Sequence, residues 1–390
     1  MTLDVKDKSL KEVLMVIPDP RKERGIRYKY FDLLLMAIYA ILSGYGCSVD
    51  ISYYVELNFE YFSNLLGLKR VPSHDTFSRI IRMTDFDYLS TTLEQWLAVH
   101  YPSIFKRFEG KKVLHVDGKC VHAAAEISNG ENPIYLLNAM YEGGTISLYT
   151  KQIGEKENET GQIVNFLSGI DITDTIITID AAGTTDPILN YICSRKGYYL
   201  VPVKKNQPQL FESITRHVEE LENSGEFEEL QRAEQSNRGH GRTEVIRTTM
   251  IKNTEFIFKE LGLNSFYGSI ARVGVMNKIV SQKIRGELQK TVKRTFLITN
   301  LEEISVANMQ AIKLSHWNIE MEHWILDVQL NEDRDTSRKD NAIKNNTVLK
   351  RFCMHIKKKC GRDDLTLNKF FMGNMRTIES ITEMLAAQVG

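Results

Sequence analysis

The sequence predicts an α/β protein: an all-helical N-terminal unit, a mixed sheet, and a β-rich insertion before a return to helices. Three observations carry this. Apolar residues recur at helical spacing from residue 30 to about 100. Near residue 111 the period shortens into brief β-branched and aromatic runs bounded by polar residues. Helical spacing resumes from about Val306.

Taken in order, Phe31, Leu34, Leu35, Ile38 and Leu42 mark a first helix. Others are expected over Val49–Leu66, Ser73–Met83 with Ser73 as N-cap, and Tyr88–His100. Strands are expected over Lys112–Asp117, Tyr135–Met140, Ile146–Tyr149, Thr175–Asp180 and Tyr198–Val203, with a helix over Asp186–Lys196 between the last two. From Phe211 an acidic helix leads to strand-like runs at 243–251, 269–281 and 293–299, and helices follow over Asn308–Val328, Asn341–Lys358 and Ile378–Gln388. This gives a helical domain over 1–105 and a mixed domain over 106–390 that carries a β-rich insertion at 211–300.

Fifty Lys and Arg balance fifty Asp and Glu in 390 residues, and 42% of the residues are apolar, which excludes disorder and a uniformly basic protein. The most apolar stretch, Leu33–Gly46, is shorter than the roughly 20 residues that cross a bilayer. No membrane partner is expected. The charged Asp4–Lys8 start lacks a secretory pattern, and five scattered cysteines suit reduced cytoplasmic thiols better than disulfides or zinc. Charge is nevertheless uneven. Ten Lys or Arg face two acids between Arg334 and Arg362, Arg21–Lys29 is a smaller basic block, and eight Glu face two Arg over Glu212–Glu234. The two basic runs suit phosphate contacts, with Lys350 and Arg351 as candidates in the longer and solvated helix faces as the alternative; separately, Ser73–Arg82 could be a recognition helix that directs Arg79 and Arg82 to DNA, with a dimerisation unit as the alternative for the N-terminal helices.

Asp117 and Asp180 each end an apolar strand, where α/β proteins build their sites, although either could equally cap a turn. In His316–Asp327, helical spacing puts His316, Glu320, His323, Trp324 and Asp327 on one face. Packing of the tryptophans with the charges turned to water is the alternative. Asp, Asp and Glu together suggest paired Mg²⁺ ions, with Mn²⁺ as a substitute, and hence cleavage of a phosphodiester. Lys119, Lys204, Asn206, Gln207, His240 and Arg242 are further candidates for touching DNA, with ordinary turns as the alternative for the last five.

These residues carry a family resemblance. Val116-Asp117-Gly118-Lys119, Lys156-x-Asn158-Glu159, Ile179-Asp180-Ala181-x-Gly183, Lys204-x-Asn206-Gln207-Pro208, His240-Gly241-Arg242-x-Glu244 and the His316–Asp327 stretch resemble, in that order, an insertion-sequence transposase of the ISAs1 type within the IS4-like DDE group. Asp19-Pro20-Arg21 and Pro72–Phe77 are similar to the helical domain that precedes the catalytic domain there. The resemblance implies an RNase H-like fold, with Asp117 on the first strand, Asp180 on the fourth and Glu320, rather than Glu322, as third metal ligand. His316, His323 and Asp327 would support the Glu320 face. It further implies transposon-end and target DNA as partners, a homodimer on DNA, and strand transfer. A metal-dependent nuclease without strand transfer, or a non-catalytic DNA-binding relic, are the other expectations.

Overall fold

The computed structural model describes residues 8–24, 26–101, 106–121, 134–142, 150–153, 159–239, 241–262, 265–284, 287–328, 330–332, 339–360 and 378–386. Contacts divide the chain into two compact units. One comprises 1–104, 118–155 and 320–390, the other 105–117 and 156–319. This grouping cuts across the linear 1–105 and 106–390 division expected from sequence.

The first unit is built around α2 (Tyr30–Leu42), buried at nearly every position. A helix apolar on all sides needs neighbours on all sides. Around it lie α1 (Leu10–Leu14), α3 (Ser48–Leu57), α4 (Phe59–Leu66), α5 (His74–Met83) and α6 (Phe86–His100). The expected single helix over Val49–Leu66 is two, broken at Asn58, whose amide donates back to the Tyr54 carbonyl. The same apolar cluster takes in Val348, Leu349, Phe352 and Ile356 of a much later helix (Ala342–Cys360). Asn345 of that helix donates to the Ile81 and Thr84 carbonyls at 2.7 and 2.8 Å, which answers acceptors left open where α5 ends. The C-terminal part joins the N-terminal helices for this reason: it completes their core. A last helix, Ile378–Ala386, places Thr382 against the hydroxyls of Tyr39 and Tyr61. This unit also holds β2 (Ile134–Tyr141), antiparallel to β3 (Thr150–Ile153), and the second half of β1 (Lys112–Val121), where Gly118 approaches Leu137.

In the second unit the sheet order is β1, β4 (Thr175–Thr178), β5 (Tyr198–Val203), β9 (Glu287–Thr299), β8 (Arg272–Ile284), β7 (Arg242–Ile251) and β6 (Gln231–Gly239). The first three are parallel, the rest antiparallel. The β-rich insertion is therefore a four-stranded extension of the parallel strands. Strand β6, polar and exposed along its length, was absent from the sequence expectation, as was α7 (Glu159–Ser168). Strands β6 and β7 close at Gly239↔Arg242 through a tight connection in which Gly241 has φ +72°, a conformation glycine adopts freely. The expected strand Ile146–Tyr149 lies outside the described residues. The remaining helices are α8 (Asp186–Ser194), α9 (Pro208–Ser224), α10 (Glu255–Leu261), α11 (Val306–Ser315) and α12 (Trp317–Val328), and Ala342–Cys360 becomes α13. The expected helix Asn308–Val328 is thus divided at His316, the C-cap of α11.

Candidate active site

Strands β1 and β4 pair in parallel from Lys112↔Thr175 to His115↔Thr178, a constant offset that Asp117 and Asp180 continue two residues further on. Neighbouring strands lie about 5 Å apart, and alternate side chains share a face. Continued two residues past its last pair, that register would set Asp117 and Asp180 level, on the face shared by His115 and Thr178. Asp117 is half-buried and Asp180 exposed.

Asp180 also caps a turn. Its Oδ1 accepts from the backbone N–H groups of Ala182 and Gly183 at 3.1 and 3.2 Å, opening a short 3₁₀ turn over Ala181–Gly183. A Cβ at Gly183 would collide with the Ile179 side chain, so the turn requires glycine there. Asn206 and Gln207 fasten it from the far side: their amides donate to the carbonyls of Ala181 and Thr184 at 2.6 and 2.5 Å. These two residues, expected to face DNA, have amide donors committed to the Asp180 turn.

Below the acids runs a buried polar chain. The Ser315 hydroxyl donates to the Ile312 carbonyl at 3.0 Å, so its oxygen accepts from Nε2–H of His115, 3.4 Å away. In the same tautomer Nδ1 of His115 accepts from the Thr178 hydroxyl, and Thr178 Oγ1 accepts from Nδ1–H of His316, both at 2.7 Å. The two imidazoles meet edge to face, centroids 5.7 Å apart. This fastens the C-terminal end of α11 to β1 and β4 on the face that carries both acids. The N-terminal end of α11 is held too: Glu109 accepts from the Ser305 N–H and the Asn308 amide, and those bonds hold its carboxyl below the usual range.

In the other unit, α12 does not keep its polar stripe on one open face. Glu320 is exposed beside Met321 and Trp324, whereas His323 is 9% exposed and Glu322 2%. The alternative of packed tryptophans and solvated charges is reversed as well: Trp324 is half exposed while Glu322 is enclosed. Glu322 and Glu332 supply the charge opposite Arg351, whose burial pushes the guanidinium below its ordinary value. Thr347 donates to Glu332 at 2.8 Å. His323 Nε2 lies 3.2 Å from the Asn138 amide of β2, and Asp327 is half-buried.

The carboxylates of Asp117 and Asp180 offer the hard-oxygen donors that Mg²⁺ prefers, so in donor chemistry this pair fits such an ion. Glu320 belongs to the first unit and the aspartates to the second. Among the described residues, no three His, Cys, Asp or Glu side chains are gathered closely enough to hold a metal.

The remaining candidates separate by burial. Lys350 and Arg351, expected at a DNA surface, are 1% and 2% exposed on α13 and present no charge to a partner; that expectation is corrected, because α13 is enclosed by the helical core. Lys204, Arg242 and Arg79 are exposed. His240, the side chain of Lys119, and Arg334, Arg338 and Arg362 lie outside the described residues. No described helix is long and apolar enough to cross a membrane.

Residues 109–356 match the family described as Transposase DDE domain, and residues 11–97 match the DDE_Tnp_1-associated family. Three curated proteins are similar over most of their length. "H repeat-associated putative transposase YhhI" of Escherichia coli K12 is 27% identical, covering 95% of this chain and 93% of its own. "Putative protein YbfL" of the same strain is 26% identical with the same coverage. "Putative transposase YncI" of Escherichia coli O157:H7 is 24% identical, covering 90% of this chain and 88% of its own.

Proposed function

The chain belongs to the DDE transposase family, enzymes that act on DNA, and from that premise we propose that it cuts at transposon ends and joins the freed ends to target DNA. The observation that supports this is the register of β1 and β4, whose continuation by two residues would set Asp117 and Asp180 level and on one face. Glu320 is the third ligand; it is exposed on α12, whereas Glu322 is spent on the buried Arg351. An RNase H-like catalytic core is consistent with the central parallel strands.

These three carboxylates would hold two Mg²⁺ ions, which supply Lewis acidity to the attacking and leaving oxygens of an in-line phosphoryl transfer. The chain's own contribution is placement. Strand pairing fixes Asp117, the Gly183 turn fixes Asp180, and the bonds from His115 through Thr178 to His316 hold the segment that leads, one helical turn later, to Glu320. His323 supports the Glu320 helix from β2. Two DNA ends are brought together by a homodimer in the bacterial cytoplasm, with the helical N-terminal residues engaging the ends.

The test is a reaction with Mg²⁺, labelled duplex carrying the inverted repeats that flank the gene, and a target plasmid. Cut and joined ends are expected, and Asp117→Ala, Asp180→Ala and Glu320→Ala should each abolish both. Ends cut but never joined would instead identify a nuclease. Cleavage unchanged in all three variants would remove the catalytic assignment.

A further inference from the structure

Asp19–Arg24 and Ile26–Lys29 form a strap tied by local bonds. Arg21 grips Asp19 with two bonds, 2.8 and 2.7 Å, and donates to the Tyr28 carbonyl at 2.9 Å; the Tyr28 hydroxyl donates to the Val71 carbonyl just before α5. Arg21 is thereby used up in holding the strap. Between strap and α5 opens a cleft of about 550 Å³. Lys22, Arg24 and Arg27 line it from the strap and Arg79 from α5. All four are exposed, and none enters an ion pair among the described residues. Against them stand Asp75, itself 3.5 Å from His74, and the neighbouring Glu23. Arg27 also lines a second cleft of about 410 Å³, which continues the positive surface to Lys69 and Arg70.

At the far end of α5 the remaining cation is engaged. Arg82 pairs with Asp340 at 3.0 Å, and its carbonyl accepts from the Asn341 N–H. The cations converge on the cleft from two separate elements, which suits the evenly spaced charge of a phosphodiester backbone.

We propose that the Lys22–Arg24–Arg27–Arg79 cleft grips the phosphate backbone of duplex DNA irrespective of sequence, so that α5 anchors the duplex and bases are read elsewhere. This rests on the reading that the chain acts on DNA, but it does not depend on the acidic triad. The experiment therefore uses the full chain carrying Asp117→Ala, in EDTA, and measures binding against salt concentration for two fluorescent duplexes: one of arbitrary sequence, one carrying the flanking inverted repeat.

Replacing Arg24, Arg27 and Arg79 together by Gln should weaken binding of both duplexes by the same factor, and the salt slope should fall by about one per residue. The same number of replacements away from the cleft, Arg195→Gln, Lys252→Gln and Lys259→Gln, should leave the slope unchanged. Thermal midpoints should agree among all three proteins, since exposed substitutions away from packed or paired groups shift stability little. Unchanged binding in the cleft variant, no binding of the arbitrary duplex by the parent, or an equal loss from the distant replacements would each overturn the cleft. A loss confined to the repeat duplex at constant slope would overturn the sequence-independent grip in favour of base reading. None of these outcomes alters the cleavage test of the triad.

Discussion

Two regions of this molecule carry the same kind of sequence and put it to opposite use. Over Arg21–Lys29 the basic residues stand at the rim of an open cleft; on α13, Lys350, Arg351 and Lys357 are each no more than 2% exposed. Counting charges does not separate them. What does is the company they keep. On α13 the cations alternate with Val348, Leu349, Phe352, Met354 and Ile356, which pack into the same core as α2, so every side of the helix is enclosed. The strap has no apolar run to draw its cations inward. Positive charge therefore marks a phosphate surface only where the intervening residues permit exposure, and the two regions should respond to mutation in opposite ways.

The largest effect is expected at Arg351. Arg351→Ala leaves the carboxylates of Glu322 and Glu332 enclosed without their cation, which should cost about 3–5 kcal/mol. Urea unfolding checks this. DNA affinity per folded molecule should be unaltered; a loss of affinity without a loss of stability would show that α13 contributes to binding after all.

Burial of neutral polar groups obeys the same rule with a smaller penalty. Thr178→Val keeps the shape but strips two hydrogen bonds from buried imidazoles, at roughly 1–3 kcal/mol for each group left unsatisfied. Thr178→Ser should recover most of that stability. If valine were tolerated without loss, the chain from His316 to Ser315 would not be what fastens α11 to the sheet.

The smallest effect, and of opposite sign, is expected at Lys357. Burial pushes its ammonium down to about 8 from 10.5, with Cys353 nearby opposing the shift. Below pH 8 both states hold the proton, and the penalty for enclosing the charge is fully present. Between about pH 8 and 10.5 the unfolded chain binds more protons than the folded one, so stability rises with pH. Lys357→Met should stabilise the protein on the order of 1–2 kcal/mol at neutral pH and flatten that rise. Calorimetry across the interval measures both; an unchanged rise would place the titration elsewhere.

Much of this architecture was legible because it is written in apolar spacing. The α2 pattern, the buried run Val113–Val116 of β1 and the wholly buried β4 rest on enclosed side chains, although β1 continues past Asp117 to Val121 where the apolar spacing suggested an end. Strand β6 was not legible, since Gln231–Gly239 buries almost nothing and is held by its backbone ladder to β7. For α7 the signal was available in Ile163, Phe166 and Leu167, three buried residues at helical spacing. The break at His316 had no local breaker; it reflects a side chain engaged with Thr178, a contact made across a long stretch of sequence. Periodicity likewise placed the polar stripe of α12 together but could not tell which edge of it would be covered, and so left Glu320 and His323 undivided.

The register that leads to Asp117 and Asp180 has an evolutionary corollary. Their spacing is set by the pairing of β1 with β4 and not by the length of chain between them. Insertions and deletions in the intervening connections can accumulate among descendants without moving either carboxylate, whereas a single residue gained or lost inside Lys112–Asp117 or Thr175–Asp180 turns one acid to the opposite face of the sheet. The lineage is free to vary in the loops and is constrained, residue by residue, along two short strands.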